Sequence, residues 1–185
     1  MLNRQITKVL KENLQFPEST NLQQRGIADK IEDQCAEVLK QNFEDVTPPR
    51  SRRSIEDVNV GDVYVDIKTS DAALNFKMPN MISIDRLRKL DKDLIYSFVI
   101  YDSDKKAILD TFSLYVYELN WEHLAIQNLG KGQLQIKNMA EFLKSPTSNM
   151  TKEQWLSTLQ EKAIDFYRKV QNDAMKRQAE WEKFV

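Results

Sequence analysis

Alternating apolar and polar residues predict a β-hairpin over residues 54–69, with Gly61-Asp62 as its two-residue turn. The turn fixes the register, and the predicted opposed pairs are Val60–Val63, Asn59–Tyr64, Val58–Val65 and Asp57–Asp66. Opposed residues share a face, and so do residues two apart along one strand. One face is therefore apolar, with Val58, Val60, Val63, Val65 and Ile67. The other face carries Asp57, Asp66 and Lys68.

Apolar residues at helical spacing predict three helices. The first covers residues 2–14 and ends before Phe16-Pro17. The second begins near a cap at Thr20 or Asn21 and runs to about residue 43, with a buried stripe of Ile27, Ile31, Cys35, Val38 and Leu39. The third begins at a capping box of Thr151 and Gln154 and reaches the C terminus, with a stripe of Trp155, Leu159, Ala163, Phe166, Val170, Ala174 and Trp181.

The remaining pattern predicts strands over residues 94–102 and 108–119, joined by a hairpin loop at 102–106. A short polar helix or turn is predicted at 85–92. Leu134 and Ile136 mark a short strand whose other side carries Gln133, Gln135 and Lys137. The order of helices, sheet and helix predicts a single α/β sandwich over residues 1–185.

Composition narrows the class of protein and of site. With 185 residues, 41% apolar and 30% charged, the chain is typical of one globular domain. No apolar run approaches the roughly 20 residues that span a bilayer, and no signal peptide is predicted, so we expect a cytoplasmic protein. A single cysteine excludes an internal disulfide framework, and Cys35 is expected in the core. A single histidine excludes the usual Cys/His zinc site, and His123 is expected to be a surface or packing residue. The net charge of −1 means that any contact with nucleic acid rests on local patches.

The polar face of the predicted hairpin carries the candidate chemistry. Two carboxylates directly across a β-ladder repel each other, so the pairing of Asp57 with Asp66 favours a divalent cation between them. Hard oxygen ligands indicate Mg²⁺, and the backbone carbonyl of Ile67 offers one more. Lys68 is placed to orient or help deprotonate an attacking water and to stabilise transition-state charge. The plain alternative is an exposed hairpin on which Asp66 and Lys68 are merely solvated.

These residues resemble a known signature. Asp57 followed by Asp66-Ile-Lys68 is similar to the motif of PD-(D/E)xK nucleases. Four longer stretches resemble type II restriction endonucleases: Arg52-Arg-Ser-Ile-Glu-Asp57, Val65-Asp-Ile-Lys-Thr69, Met78-Pro-Asn-Met-Ile-Ser83 and Asn128-Leu-Gly-Lys-Gly-Gln133. The resemblance covers roughly residues 20–140. It implies a restriction-endonuclease-like mixed β-sheet flanked by helices, and Mg²⁺-dependent hydrolysis of double-stranded DNA that leaves 5′-phosphate ends.

The resemblance also implies a glutamate on a helix near the metal. Glu32 on the second helix is the best match, and Asp29 is the runner-up. Glu56 replaces the proline of the family motif and is a rival acid. The hairpin register argues against Glu56, because that register places it on the valine face.

Three groups of residues are predicted to contact DNA through phosphates or bases. They are Arg50, Arg52 and Arg53 before the hairpin, then Lys77, Asn80 and Ser83, then Asn128, Lys131, Gln133, Gln135 and Lys137 in and after the glycine-containing loop. Each group has a plain alternative as solvated linker, packing segment or ordinary loop. A palindromic DNA site would require two active sites, so a homodimer is expected. The rival functions are a structure-selective repair or recombination nuclease of the same fold and a non-catalytic DNA-binding protein.

Overall fold

The computed structural model describes residues 1–18, 24–51, 54–76, 79–127 and 132–184. In chain order its main elements are α1 (Leu2–Asn13), α2 (Gln24–Asn42), β1 (Val46–Thr47), β2 (Val58–Val60), β3 (Val63–Asp71), α3 (Ile84–Leu87), β4 (Asp93–Asp102), β5 (Ala107–Tyr115), β6 (Leu124–Gln127), β7 (Gln133–Ile136), α4 (Met139–Lys144) and α5 (Lys152–Glu182). Short 3₁₀ turns lie at Ala72–Leu74, Val116–Glu118 and Trp121–His123.

Five strands form one mixed sheet in the order β1-β2-β3-β4-β5. The central pair β3 and β4 is parallel, and the other neighbours are antiparallel. The predicted hairpin register is confirmed for three pairs, Val58–Val65, Asn59–Tyr64 and Val60–Val63, whereas the predicted Asp57–Asp66 pair lies beyond the end of the β2–β3 ladder. Its turn contains Gly61 at φ +58°, a backbone conformation that glycine adopts without a Cβ penalty. The mixed sheet flanked by helices agrees with the expected α/β class.

The sheet separates two apolar cores. On one side α1 and α2 pack on the valine face of the hairpin through Ile6, Leu10, Ile31, Cys35 and Leu39, all fully buried. The other side holds the larger core, in which Tyr96 and Phe98 of β4 meet side chains from α3, the β6–β7 hairpin, α4 and α5. Successive side chains of a β-strand point to opposite faces of the sheet, so each strand contributes residues to both cores.

The three predicted helices are present, with one correction. The capping box of Thr151 and Gln154 starts α5, as expected. The predicted apolar stripe continues too far, however, because Ala174 is exposed and Trp181 is 70% exposed. Packing on the larger core ends at Val170, and nearly all side chains after it on the helix are exposed. None of the helices among the described residues is long and apolar enough to cross a membrane.

The second long strand is shorter than predicted, and three elements were missed. Strand β5 ends at Tyr115 instead of residue 119, and the chain turns through Val116–Glu118. The Glu118 carboxylate stabilises this turn, because its Oε2 accepts hydrogen bonds from the Tyr115 N–H and the Asn3 amide, both at 2.8 Å. The missed elements are the short strand β1, the strand β6 that pairs with β7, and helix α4. His123 packs at the edge of the Phe142 ring and bonds the Ser145 hydroxyl at 2.8 Å, as expected of a packing residue.

Candidate functional site

The site begins where the β2–β3 ladder ends. The last paired residue of β2 is Val58, and the N–H of Asp57 still donates to the Val65 carbonyl at 2.9 Å. Beyond it, the Ile67 N–H donates to Oδ2 of Asp57 at 2.6 Å. The carboxylate therefore satisfies a backbone donor that a buried strand cannot leave without a partner. This hydrogen bond fixes Asp57 beside the middle of β3.

Asp66 and Lys68 lie next to it on β3. Nζ of Lys68 is 2.7 Å from Oδ1 of Asp66, and both side chains are largely buried, at 18% and 7% exposed. Burial and the neighbouring Asp57 carboxylate raise the pKa of Asp66 against the opposing effect of Lys68, and the net result is a pKa of about 8. The raised pKa shows that burial and the second carboxylate together outweigh the lysine. Ionisation of the Asp66 carboxyl in the metal-free protein is therefore energetically unfavourable.

Glu32 approaches the same point from α2. The Thr69 hydroxyl donates to its Oε1 at 3.5 Å. Burial raises the pKa of Glu32 to about 7, and the nearby Asp57 carboxylate adds to the shift. The expected helix-borne glutamate is therefore close to Asp57 and Lys68. Asp29, the runner-up, is exposed on the same helix.

The cofactor that the sequence resemblance implies is a magnesium ion, which requires hard oxygen ligands. Within the described ranges, no group of three or more Asp, Glu, His or Cys side chains is already arranged to hold a metal. The donors do fit a hard cation, because Asp57, Asp66 and the Ile67 carbonyl offer oxygen only. The raised pKa of the nearly buried Asp66 carboxyl points the same way, since a bound cation would favour the ionised carboxylate that burial and then the Asp57 charge disfavour. The residues present therefore fit Mg²⁺.

A cavity of about 470 Å³ opens on the side of β3 that faces the larger core, and its polar lining comes from Ser54, Asp66, Lys68, Asn80, Ser83, Arg86 and Gln133. Asn80, Ser83 and Gln133 were predicted as DNA contacts from two segments far apart in sequence, and the fold brings them to the Asp66–Lys68 pair. Arg86 was not predicted. The sequence shows basic residues at 86, 88 and 89, but nothing in it indicates which of them reaches the cavity.

The far wall of the cavity is a short β-like pairing between residues 81–84 and the start of β7. The Ile84 N–H donates to the Gly132 carbonyl at 2.8 Å, and the Leu134 N–H donates to the Ile82 carbonyl at 3.0 Å. The Gln133 amide donates to the Met81 carbonyl at 2.6 Å. One N–H of the Gln133 side-chain amide is thus used within the wall, which leaves the side-chain oxygen and the second N–H of that amide for a ligand.

The other predicted residues lie elsewhere. Arg50 lies by Asp91, with the guanidinium 3.8 Å from the carboxylate, near the start of β3 and β4. At about 3.3 Å per residue this is roughly 15 Å from Lys68 along the strand. Gln135 and Lys137 continue the polar side of β7 outward. Glu56 is buried, and its carboxylate accepts from the Ile55 N–H at 3.1 Å. The predicted contacts Arg52, Arg53, Lys77, Asn128 and Lys131 lie outside the described residues.

No protein-family model matches this chain, and no curated protein matches it significantly.

Proposed function

We propose that the protein is a Mg²⁺-dependent endonuclease that hydrolyses phosphodiester bonds in double-stranded DNA, of the type II restriction class. The observation that carries the proposal is the Asp66–Lys68 pair at 2.7 Å, with the Asp57 carboxylate beside it and a polar cavity in front of it. One acid directly before β2 and an acid and a lysine on β3 agree with the motif that the sequence resembles. The proposal that cutting is sequence-specific rests on that resemblance and on the side-chain amides of Asn80 and Gln133, which line the cavity.

Asp57, Asp66 and the Ile67 carbonyl would hold the cation, with Glu32 as a neighbouring acid. Mg²⁺ bound there withdraws charge from a phosphate and favours ionisation of water. Lys68 orients the attacking water and stabilises negative charge that develops on the phosphate oxygens. Its contact with Asp66 keeps the ammonium group at a fixed place on β3. The Ile67 N–H in turn holds the Asp57 carboxylate toward the site.

The test is incubation of long duplex DNA with the purified protein and Mg²⁺, followed by electrophoresis. We expect discrete fragments with 5′-phosphate ends. Asp66→Asn and Lys68→Ala should each reduce the single-turnover cleavage rate by at least ~100-fold, in line with the loss of a metal ligand or of a charge-stabilising group. Asp62→Asn is the matched control, since Asp62 lies in the same hairpin with its side chain 91% exposed.

Each pattern on the gel decides between the functions. A smear that depends on Mg²⁺ and on Lys68 would retain hydrolysis but replace sequence-specific cutting by a structure-selective or nonspecific nuclease. Intact DNA across several substrates, with binding preserved, would favour a non-catalytic DNA-binding protein. Cleavage at full rate by the Lys68→Ala protein would overturn the role given to this lysine. We further propose that cutting at a palindromic site uses a homodimer, which sedimentation of the protein–DNA complex would show.

A further inference from the structure

We propose that two copies of this chain form a dimer through α5, with the two helices antiparallel and the end of each helix lying in a groove of the other copy. This pairing supplies a contact surface for the homodimer proposed above. It depends only on the side chains of α5 and of the groove, so it is expected without DNA and without cleavage.

Helix α5 carries a second stripe of uncharged residues besides the stripe that packs on the larger core. The core-facing stripe ends at Val170. The second stripe, which we call the seam, is exposed throughout and consists of Gln160, Ile164, Tyr167, Gln171, Ala174, Gln178 and Trp181. The spacing along the seam alternates between four and three residues, which keeps one face of a helix against another helix over several turns.

The composition of the seam differs from that of the rest of the exposed helix. None of its residues is charged, although 12 of the 31 residues of α5 are Lys, Arg, Asp or Glu. Ile164, Tyr167 and Trp181 are 44%, 43% and 70% exposed. Large apolar side chains aligned on one face of an otherwise charged helix indicate a face that another element covers.

A groove lies beside the first half of the seam. It has a volume of about 1000 Å³ and runs between α3 and α5. One wall includes Leu87 and Leu90, and the other includes Leu156, Ile164 and Tyr167. At 1.5 Å per residue, the stretch of α5 from Leu156 to Tyr167 is about 17 Å long.

The second half of the seam lies on the part of α5 that does not pack on the core. After Val170 nearly every side chain is exposed, and residues 171–182 span about 18 Å. The groove and the unpacked end of the helix thus have the same length, and one chain carries both. A second copy placed antiparallel fills the groove of the first with its own helix end, and its own groove is filled in return. The contact is the same in both directions, so the pair closes with two-fold symmetry.

The sizes of the seam residues favour one register. With the two-fold axis level with Lys169, Ile164 faces Ala174 of the second copy and Tyr167 faces Gln171, so that a large side chain meets a smaller one in each pair. The other facing pairs are Gln160 with Gln178, whose amides are able to bond each other, and Ser157 with Trp181.

The first experiment is sedimentation velocity of the full chain without DNA. We expect a reversible dimer with a dissociation constant of about 1–10 µM, modest because three seam residues are glutamines. Ala174→Glu should weaken the dimer at least ~100-fold, since it buries an unpaired carboxylate twice in each dimer. Ala179→Glu is the matched control, because Ala179 is exposed on α5 outside the seam. Each of the two alanines has a basic residue three positions away, Arg177 or Lys176.

The second experiment tests the direction of the pairing by oxidation of cysteine variants. Ile164→Cys/Ala174→Cys should give disulfide-linked dimers, since these positions face each other in the proposed register. Ala174→Cys alone should not, because its two copies would lie about 15 Å apart along the helix axis, beyond the ~7 Å that a disulfide spans. The native Cys35 is fully buried and should not react.

The outcomes separate this inference from the proposed function. A wild-type dimer that persists in Ala174→Glu would overturn the role of α5 and leave the homodimer. Linkage of Ala174→Cys alone, as efficient as that of the double variant, would overturn the antiparallel pairing. A wild-type protein that is monomeric up to about 100 µM would overturn this inference, and the cleavage assay would still decide the nuclease function. A dimer with the expected variant pattern that does not cut DNA would uphold this inference and refute the nuclease.

Discussion

As the pH rises into the alkaline range, Asp66→Asn should gain stability relative to the metal-free wild-type protein, although the substitution removes the buried contact between Asp66 and Lys68. The Asp66 carboxyl has its pKa raised from 3.8 to about 8, mainly by burial and then by Asp57. A carboxyl with a raised pKa in the fold binds its proton more tightly there than in the unfolded chain. Its contribution to the free energy of unfolding is therefore complete below about pH 4 and is lost as the pH rises to about 8.

The size of the effect follows from that shift. A change of roughly four pKa units at about 1.4 kcal/mol per unit gives a loss of about 6 kcal/mol between acid and alkaline pH. Asparagine does not ionise, so this loss is absent from the Asp66→Asn protein. Removal of the 2.7 Å contact to Lys68 lowers the variant's stability at every pH, whereas the titration of Asp66 sets how the difference between the two proteins changes with pH.

The assay is urea denaturation of both proteins in EDTA at one-unit intervals from pH 5 to pH 9. From pH 5 to pH 9, the free energy of unfolding of Asp66→Asn should increase by several kcal/mol relative to that of the wild-type protein. Asp62→Asn, at a side chain 91% exposed, should follow the wild-type curve. Addition of Mg²⁺ at pH 8 should stabilise the wild-type protein by about 2.7 kcal/mol at a hundred times the dissociation constant. The same addition should leave Asp66→Asn unchanged.

A constant difference between the two curves from pH 5 to pH 9 would refute the reasoning. So would a variant that loses stability relative to the wild-type protein as the pH rises. Either result would mean that Asp66 and Lys68 form a stabilising structural ion pair, and the repulsion between Asp66 and Asp57 would then be too weak to indicate a cation.

Three further predictions concern the parts of the fold that hold the site. Gly132→Ala should lower the free energy of unfolding by about 1–3 kcal/mol in urea denaturation, because Gly132 has φ +53° and a Cβ there would lie 3.0 Å from Ile84; an unchanged midpoint would contradict the strain. Cys35, fully buried with its pKa raised to about 12, should react with a thiol reagent at pH 8 roughly a thousandfold more slowly than after denaturation, and labelling at the rate of a free thiol would show that α2 opens readily. Trp155→Ala should cost about 3–5 kcal/mol, since Trp155 is fully buried and lies 4.8 Å from the ring of Trp121, and thermal denaturation followed by circular dichroism would measure this loss.

Local rules account for what the sequence predicted correctly. The hairpin around Gly61 was predictable because a two-residue turn determines the register of both its strands, and the register determines which side chains share a face. The approach of Asp57 to Asp66 follows from that same short segment. The placement of Glu32 needed the resemblance, since no local rule relates a residue on α2 to a strand some thirty residues later.

Contacts between distant segments account for what the sequence did not reveal. Strand β5 ends at Tyr115, where the Glu118 carboxylate accepts hydrogen bonds from the Tyr115 N–H and from the Asn3 amide of α1. Asn3 is more than a hundred residues away in sequence, so the residues around Glu118 do not reveal this contact. Likewise, the cavity exists because residues 81–84 pair with the start of β7, about fifty residues later. Which of Arg86 and Arg88 faces Lys68 depends on the orientation of a four-residue helix, and that orientation is set by this pairing.

The uneven packing of α5 has a consequence for spectroscopy. After Val170, the helix continues through residues 171–182 with almost every side chain exposed, a length of about 18 Å at 1.5 Å per residue. A helix of about a dozen residues is marginally stable in water on its own. Heating the protein at a concentration where it is monomeric should therefore reduce the ellipticity at 222 nm before the emission of the buried Trp121 and Trp155 changes, while Trp181 emits as a solvated indole throughout. A melting temperature for this protein is thus meaningful only when the optical signal that defined it is stated.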